Sequence, residues 1–72
     1  MSKAGKVLKN LLDRSRRAQK ESDCESAYAA LLQAMRQYGY AMGAQLLDPD
    51  EGYLKDELEA RANKVFDGCV GR

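Results

Sequence analysis

Histidine and tryptophan are absent from this chain, and it holds one phenylalanine, one proline and two cysteines. Without histidine the commonest general acid–base group is missing. Two cysteines and no histidine also exclude a standard four-ligand zinc site within one chain. No Cys-x-x-Cys is present, so a redox-active pair of that kind is excluded. No strand pattern, internal repeat or low-complexity stretch interrupts the sequence. Charge is missing too, but only locally: residues 26–47 hold a single charged side chain, Arg36. That segment is long enough to cross a bilayer, yet Gln33, Arg36, Gln37, Gln45 and several small residues make lipid burial costly. The N-terminus interleaves bases with apolar residues and lacks the unbroken apolar core of a secretory signal. The expected setting is therefore a soluble, cytoplasmic protein.

The charges that are present fall into blocks. Residues 1–20 carry seven bases (Lys3, Lys6, Lys9, Arg14, Arg16, Arg17, Lys20) against Asp13, a net +6. Residues 21–25 add three acids, and residues 48–72 carry seven acids and four bases. The overall charge of +1 conceals a basic, an uncharged and an acidic segment. Such asymmetry points to binding surfaces. At 72 residues the chain makes one domain, residues 1–72, whose core alone is marginal. Self-association is the leading remedy.

Hydrophobic spacing predicts three helices. In the first, over 2–19, Ala4, Val7, Leu8, Leu11, Leu12, Ser15 and Ala18 recur at three- and four-residue steps and share one face. The seven bases occupy the opposite half of the wheel. Arg16, Arg17 and Lys20 suit the negative C-terminal end of the macrodipole, whereas Lys3 and Lys6 oppose it at the other end. The second helix, 23–47, is expected to open with a capping box, Ser22-Asp23-Cys24-Glu25. Its expected seam is Cys24, Tyr28, Leu31, Met35, Tyr38 and Met42, widened by Ala27, Ala30, Ala34 and Ala41, with Gly39 and Gly43 admitting a neighbouring backbone. The outer face also lacks charge, so this helix is expected to be covered on several sides, including by a second copy. Ala34, Tyr38, Gly39, Tyr40, Gly43 and Leu47 are the candidate self-association residues.

The third helix, 49–67, starts at Asp48-Pro49-Asp50-Glu51, with an acceptor at the N-cap, proline at N1 and Glu at N3. Leu54, Leu58, Ala62, Val65, Phe66 and Cys69 form its expected buried stripe. Glu51–Lys55 and Glu57–Arg61 are spaced as i,i+4 ion pairs. Gly68 is the expected C-cap, and the tail from residue 70 is expected to fray. The fold class is thus all-α: a small three-helix bundle, or a helical hairpin with a basic amphipathic N-terminal helix, that self-associates.

Chemistry finds little purchase. The acids of the third helix read as a solvated face. Ala4-Gly5-Lys6 lacks the remaining elements of a P-loop, and Asp48-Pro49-Asp50-Glu51-Gly52 has the wrong spacing for a calcium loop. No cofactor is implied. Cys24 and Cys69 fall at levels about 5 Å apart along antiparallel helices, at about 1.5 Å per residue. Their leading reading is a pair of buried, reduced thiols; the alternative is a disulfide, within or between chains. Tyr28 and Tyr38 read as core, and Tyr40 and Tyr53 as surface residues or interface anchors. The basic face of the first helix admits solvation, an acidic protein surface, nucleic-acid phosphates, or, least favoured for want of Trp and Phe, a membrane surface. The expected function is that of a non-enzymatic regulator acting by protein–protein contact, an inhibitor or antagonist that forms a homodimer. A nucleic-acid-binding regulator is the alternative.

Overall fold

The apolar row of the first helix meets an alanine-rich face of the second, and this pairing organises the molecule. A computed structural model describes residues 1–70, so residues 71–72 of the expected frayed tail lie outside the described residues. The regular structure of the described residues is all helical: α1 Lys3–Lys20, α2 Cys24–Gly43, a 3-10 turn Pro49–Glu51, α3 Tyr53–Val65 and a π turn Phe66–Val70. The three α-helices run up, down and up in a rod 36 × 17 × 17 Å.

Helix α1 is capped by Ser2, whose Oγ accepts from the Gly5 amide at 2.9 Å. It buries Gly5, Leu8, Leu11, Leu12 and Ser15. Helix α2 buries Ala27, Ala30, Leu31, Ala34 and Ala41 against it. Small side chains let the two backbones come close, and the buried Ser15 hydroxyl donates to the Ala27 carbonyl at 2.8 Å. That bond satisfies the one polar side chain facing the α1–α2 seam at its centre. Leu54, Leu58 and Val65 of α3 close the core.

Several expectations are corrected. The N-cap of α2 is Asp23, accepting from the Ser26 amide at 3.1 Å, while Ser22 adopts φ 62° one residue earlier. Helix α2 stops at Gly43, short of Leu47, because Gln45 takes φ 55°. Both α1 and α2 end in the same way. Asp23 N donates to Ala18 O and Ser22 N to Gln19 O; Leu46 N donates to Ala41 O and Gln45 N to Met42 O. These are Schellman closures with serine and glutamine where glycine is usual. Gly68 is not a cap: no glycine among the described residues has positive φ, and Gly68 sits inside the π turn.

The seam expected on α2 is rotated. Ala34, expected at a contact between copies, has no exposed surface within one chain. Tyr28, Met35 and Met42, expected inside, are exposed, as is Phe66 at 61%. Alanines, which carry the weaker pattern signal, took most of the core positions of α2 because small side chains let it lie close under α1, with Leu31 the one large side chain among them. Gly39 and Gly43 admit no backbone from within the chain: a Cβ at either would meet nothing within 4 Å.

The expected ion pairs of α3 do not form, since Glu51 of one and Arg61 of the other are engaged elsewhere. Glu51 is 2% exposed, and its carboxylate accepts from the amides of Asp48 at 2.7 Å and Ser2 at 3.3 Å. It ties the start of the chain to the α2–α3 corner. Gly5 leaves room beneath it, because a Cβ there would meet the Glu51 carboxylate and displace it. Cys24 and Cys69 are joined as a disulfide with Cα atoms 5.6 Å apart, in place of the reduced pair that was the leading expectation. The up-down-up topology returns the end of α3 to the start of α2, so the two core-edge sulfurs meet.

Candidate interaction surfaces

Two surfaces of opposite character stand out. The first is the basic side of α1, extended onto α3. Rows Lys9, Asp13, Arg16, Lys20 on α1 and Glu57, Arg61, Lys64 on α3 each recur at four- and three-residue steps, so each presents one edge. The rows flank an open groove of about 1010 Å³ floored by Leu12 and Ala60, with Arg17 and Gln19 on its rim. Its charges are graded. Lys9 and Glu57 mix signs at one end, Asp13 and Arg16 pair with each other midway, and Arg17, Lys20, Arg61 and Lys64 crowd the end where α1 and α3 both finish.

Individual cations differ in how free they are. Lys9 is half-buried, with Nζ 5.7 Å from the Tyr53 ring centroid, a cation–π contact worth about 0.5–1 kcal/mol near the surface. Arg16 pairs with Asp13 at 3.0 Å, and both are well exposed, so the pair adds roughly 0–1 kcal/mol. Lys3, Lys6, Arg14, Arg17 and Lys20 are exposed. Lys3 lies away from the groove, on a smaller apolar notch of about 320 Å³ lined also by Val7, Tyr40 and Leu46.

Arg61 is a residue the sequence pattern misassigned. Its Nη2 donates to Gln19 Oε1, while Gln19 Nε2 donates to the Lys64 carbonyl at 2.7 Å. The glutamine thus bridges α1 and α3 and clamps the guanidinium at the groove. Arg61 Nε is buried without a hydrogen-bond partner. Burial, and secondarily the positive Arg16, pull its pKa below the ordinary arginine value. The i,i+4 spacing from Glu57 suggested a solvated ion pair, and nothing in the local sequence announces Gln19 as the competing acceptor.

The second surface is the outer side of α2. Tyr28, Leu32, Met35, Gly39 and Met42 step by four and three along it. The four large side chains are 47%, 38%, 45% and 54% exposed. Of the candidate self-association residues, Gly39, Tyr40 and Gly43 are exposed, Tyr38 and Leu47 are half-buried against the chain's own core, and Ala34 is wholly inside it.

The carboxylates of Asp48, Asp50 and Glu51 come within 4.8 Å of one another. Glu51 is committed to backbone amides, however, and the trio serves the corner. Hydrogen bonding from Ser2, then from the Asp48 amide, holds the Glu51 carboxyl below the ordinary glutamate range and outweighs desolvation, which acts the other way. Asp23 is likewise lowered by its hydrogen bonds with Ser26. No helix among the described residues is long and apolar enough to cross a membrane. No protein-family model, curated protein or solved structure matches the chain.

Proposed function

We propose that this chain is a non-catalytic regulatory protein that works by protein–protein contact, as an inhibitor or antagonist of a larger protein or complex, and that it acts as a homodimer joined through α2. The observation that carries this reading is the unpartnered stripe Tyr28, Leu32, Met35 and Met42. Its steps of four and three are those of a helix-pairing seam. Tyrosine and methionine are enriched in interface cores and charge is depleted there; Arg36 is the single charge between residues 26 and 47. Gly39, in the middle of the stripe, leaves open space that a facing side chain can enter. A second copy fits best because the same uncharged, self-complementary row is then offered from both sides.

The stripe contains no cysteine, so pairing does not depend on the state of the disulfide. In the cytoplasmic setting proposed here, a reducing pool would hold Cys24 and Cys69 as adjacent thiols; an oxidising compartment would keep them joined. The test is a charge placed in the seam. Sedimentation equilibrium of the unaltered chain should give a mass near twice 8.0 kDa. Met35→Glu should give a folded monomer, because Met35 is exposed within each chain. A dimer that persists in Met35→Glu would refute the assigned surface.

The exposed cations of α1 favour a second reading, nucleic-acid phosphate binding. It requires mobility shifts with duplex or single strands that weaken steeply with salt and vanish when Arg14, Arg16 and Arg17 become Glu.

A further inference from the structure

We propose that the groove between α1 and α3 is the docking site for an acidic, amphipathic segment of the partner protein, and that Arg61 and Lys64 belong to the site together with the bases of α1. The inference rests on the interaction-protein reading and names the chemistry of the partner. Charge complementarity selects it. Arg17, Lys20, Arg61 and Lys64 converge at one end, and Arg16, paired with Asp13, stands beside them, so the bases outnumber the acids there. The guanidinium of Arg61 is held at the groove by Gln19 and pairs with no acid among the described residues, so it adds an uncompensated positive charge to this end.

Two further features favour a protein segment over a phosphate backbone. The floor is apolar, Leu12 and Ala60, and no aromatic ring lines the groove to stack a base. Glu57, and Asp13 beside Arg16, place acids along the rest of the groove, which disfavours a continuous run of phosphates but accommodates a segment that is acidic at one end and neutral or basic at the other. From Lys9 to Lys20 the groove runs about 16 Å, the length of roughly eleven helical residues. Apolar contact with the floor and graded charge along the walls then fix both register and direction.

The test uses a labelled amphipathic peptide of about 12 residues, with leucines on one face, glutamates in one half, and lysine and glutamine in the other. Fluorescence anisotropy at low salt should show binding to the intact chain. The same peptide with every Glu replaced by Gln should bind about tenfold more weakly. The double variant Arg17→Glu/Lys64→Glu should lose binding by at least about tenfold, while Lys3→Glu/Lys6→Glu, the same charge change off the groove, should not. Arg17→Gln/Lys64→Gln supplies a milder variant should the reversal disturb folding. Absence of binding to the acidic peptide, equal loss in both charge-reversed variants, or tighter binding of a single- or double-stranded oligonucleotide would each overturn the proposal. Sedimentation of the same samples keeps the two readings apart. A monomer that binds the peptide defeats only the dimer; a dimer that ignores it defeats only the groove.

Discussion

Two residues decide how the molecule starts. Gly5 leaves room for the Glu51 carboxylate, and Glu51 holds Ser2 and Asp48 by their amides. Gly5→Ala gains about 1 kcal/mol of helix propensity but displaces that carboxylate, and overpacking typically costs about 1–3 kcal/mol. Gly52→Ala, off the α2 stripe and at helical φ −58°, restricts the unfolded chain with no neighbour to displace. Thermal unfolding should therefore show Gly52→Ala stabilised and Gly5→Ala stabilised less or destabilised. Glu51 also sets an acid limb. Its folded pKa is depressed, so its contribution is fully present above the unfolded glutamate value and is lost as pH falls through the folded one. Denaturant titrations on descending pH should show stability falling below the ordinary glutamate range, and Glu51→Gln should flatten that fall. The Glu51–Asp48 contact was legible, since Asp48-Pro49-Asp50-Glu51 places a glutamate at N3 behind its N-cap; the tie to Ser2 and Gly5 was not. Glycine five and glutamate fifty-one are remote along the chain, and the glutamate's spacing to Lys55 suggested an ordinary surface pair.

At the scale of elements, the number and order of helices were legible, because three amphipathic periods are separated by short breaks. Their ends and their rotation were not. Ser22 and Gln45 take left-handed φ without being glycine, so the stop signals at 21–23 and 44–46 carry no residue that marks them. A non-glycine residue in that region costs about 1–2 kcal/mol. Gln45→Gly should therefore raise stability by about 0.5–1 kcal/mol once the added freedom of the unfolded chain is subtracted, as urea unfolding would show. The rotation of α2 misled because large apolar side chains form the more visible seam. Alanines won the core since close approach to α1 buries more of both helices than tyrosine or methionine would permit. The groove was half legible: the bases of α1 stand out in the sequence, but Arg61 and Lys64 join them only through the up-down-up topology.

The whole molecule is a small rod whose two ends are fastened differently, by Glu51 at one and by the Cys24–Cys69 bond at the other. The bond closes a loop of 45 residues in separation, for which cross-linking contributes about 2–4 kcal/mol, chiefly by restricting the unfolded chain. Reduction, or Cys24→Ser with Cys69→Ser, should lower Tm by about 10 °C or more in a chain this size, while leaving the helical far-ultraviolet signal at low temperature. What remains unburied is then the informative part: a cationic groove on one side and an uncharged methionine- and tyrosine-bearing stripe on another. A chain whose core alone is marginal gains from covering the second with its own copy.

Methionine methyl groups would report the proposed covering most directly. With one population of the chain carrying labelled methionine methyls and the other unlabelled, an isotope-filtered nuclear Overhauser experiment detects contacts between copies alone. The account predicts cross-peaks from the Met35 and Met42 methyls to Tyr28 and Leu32 protons of the other copy, and none from Met1. Absence of intermolecular cross-peaks at Met35 and Met42 at millimolar concentration would contradict it.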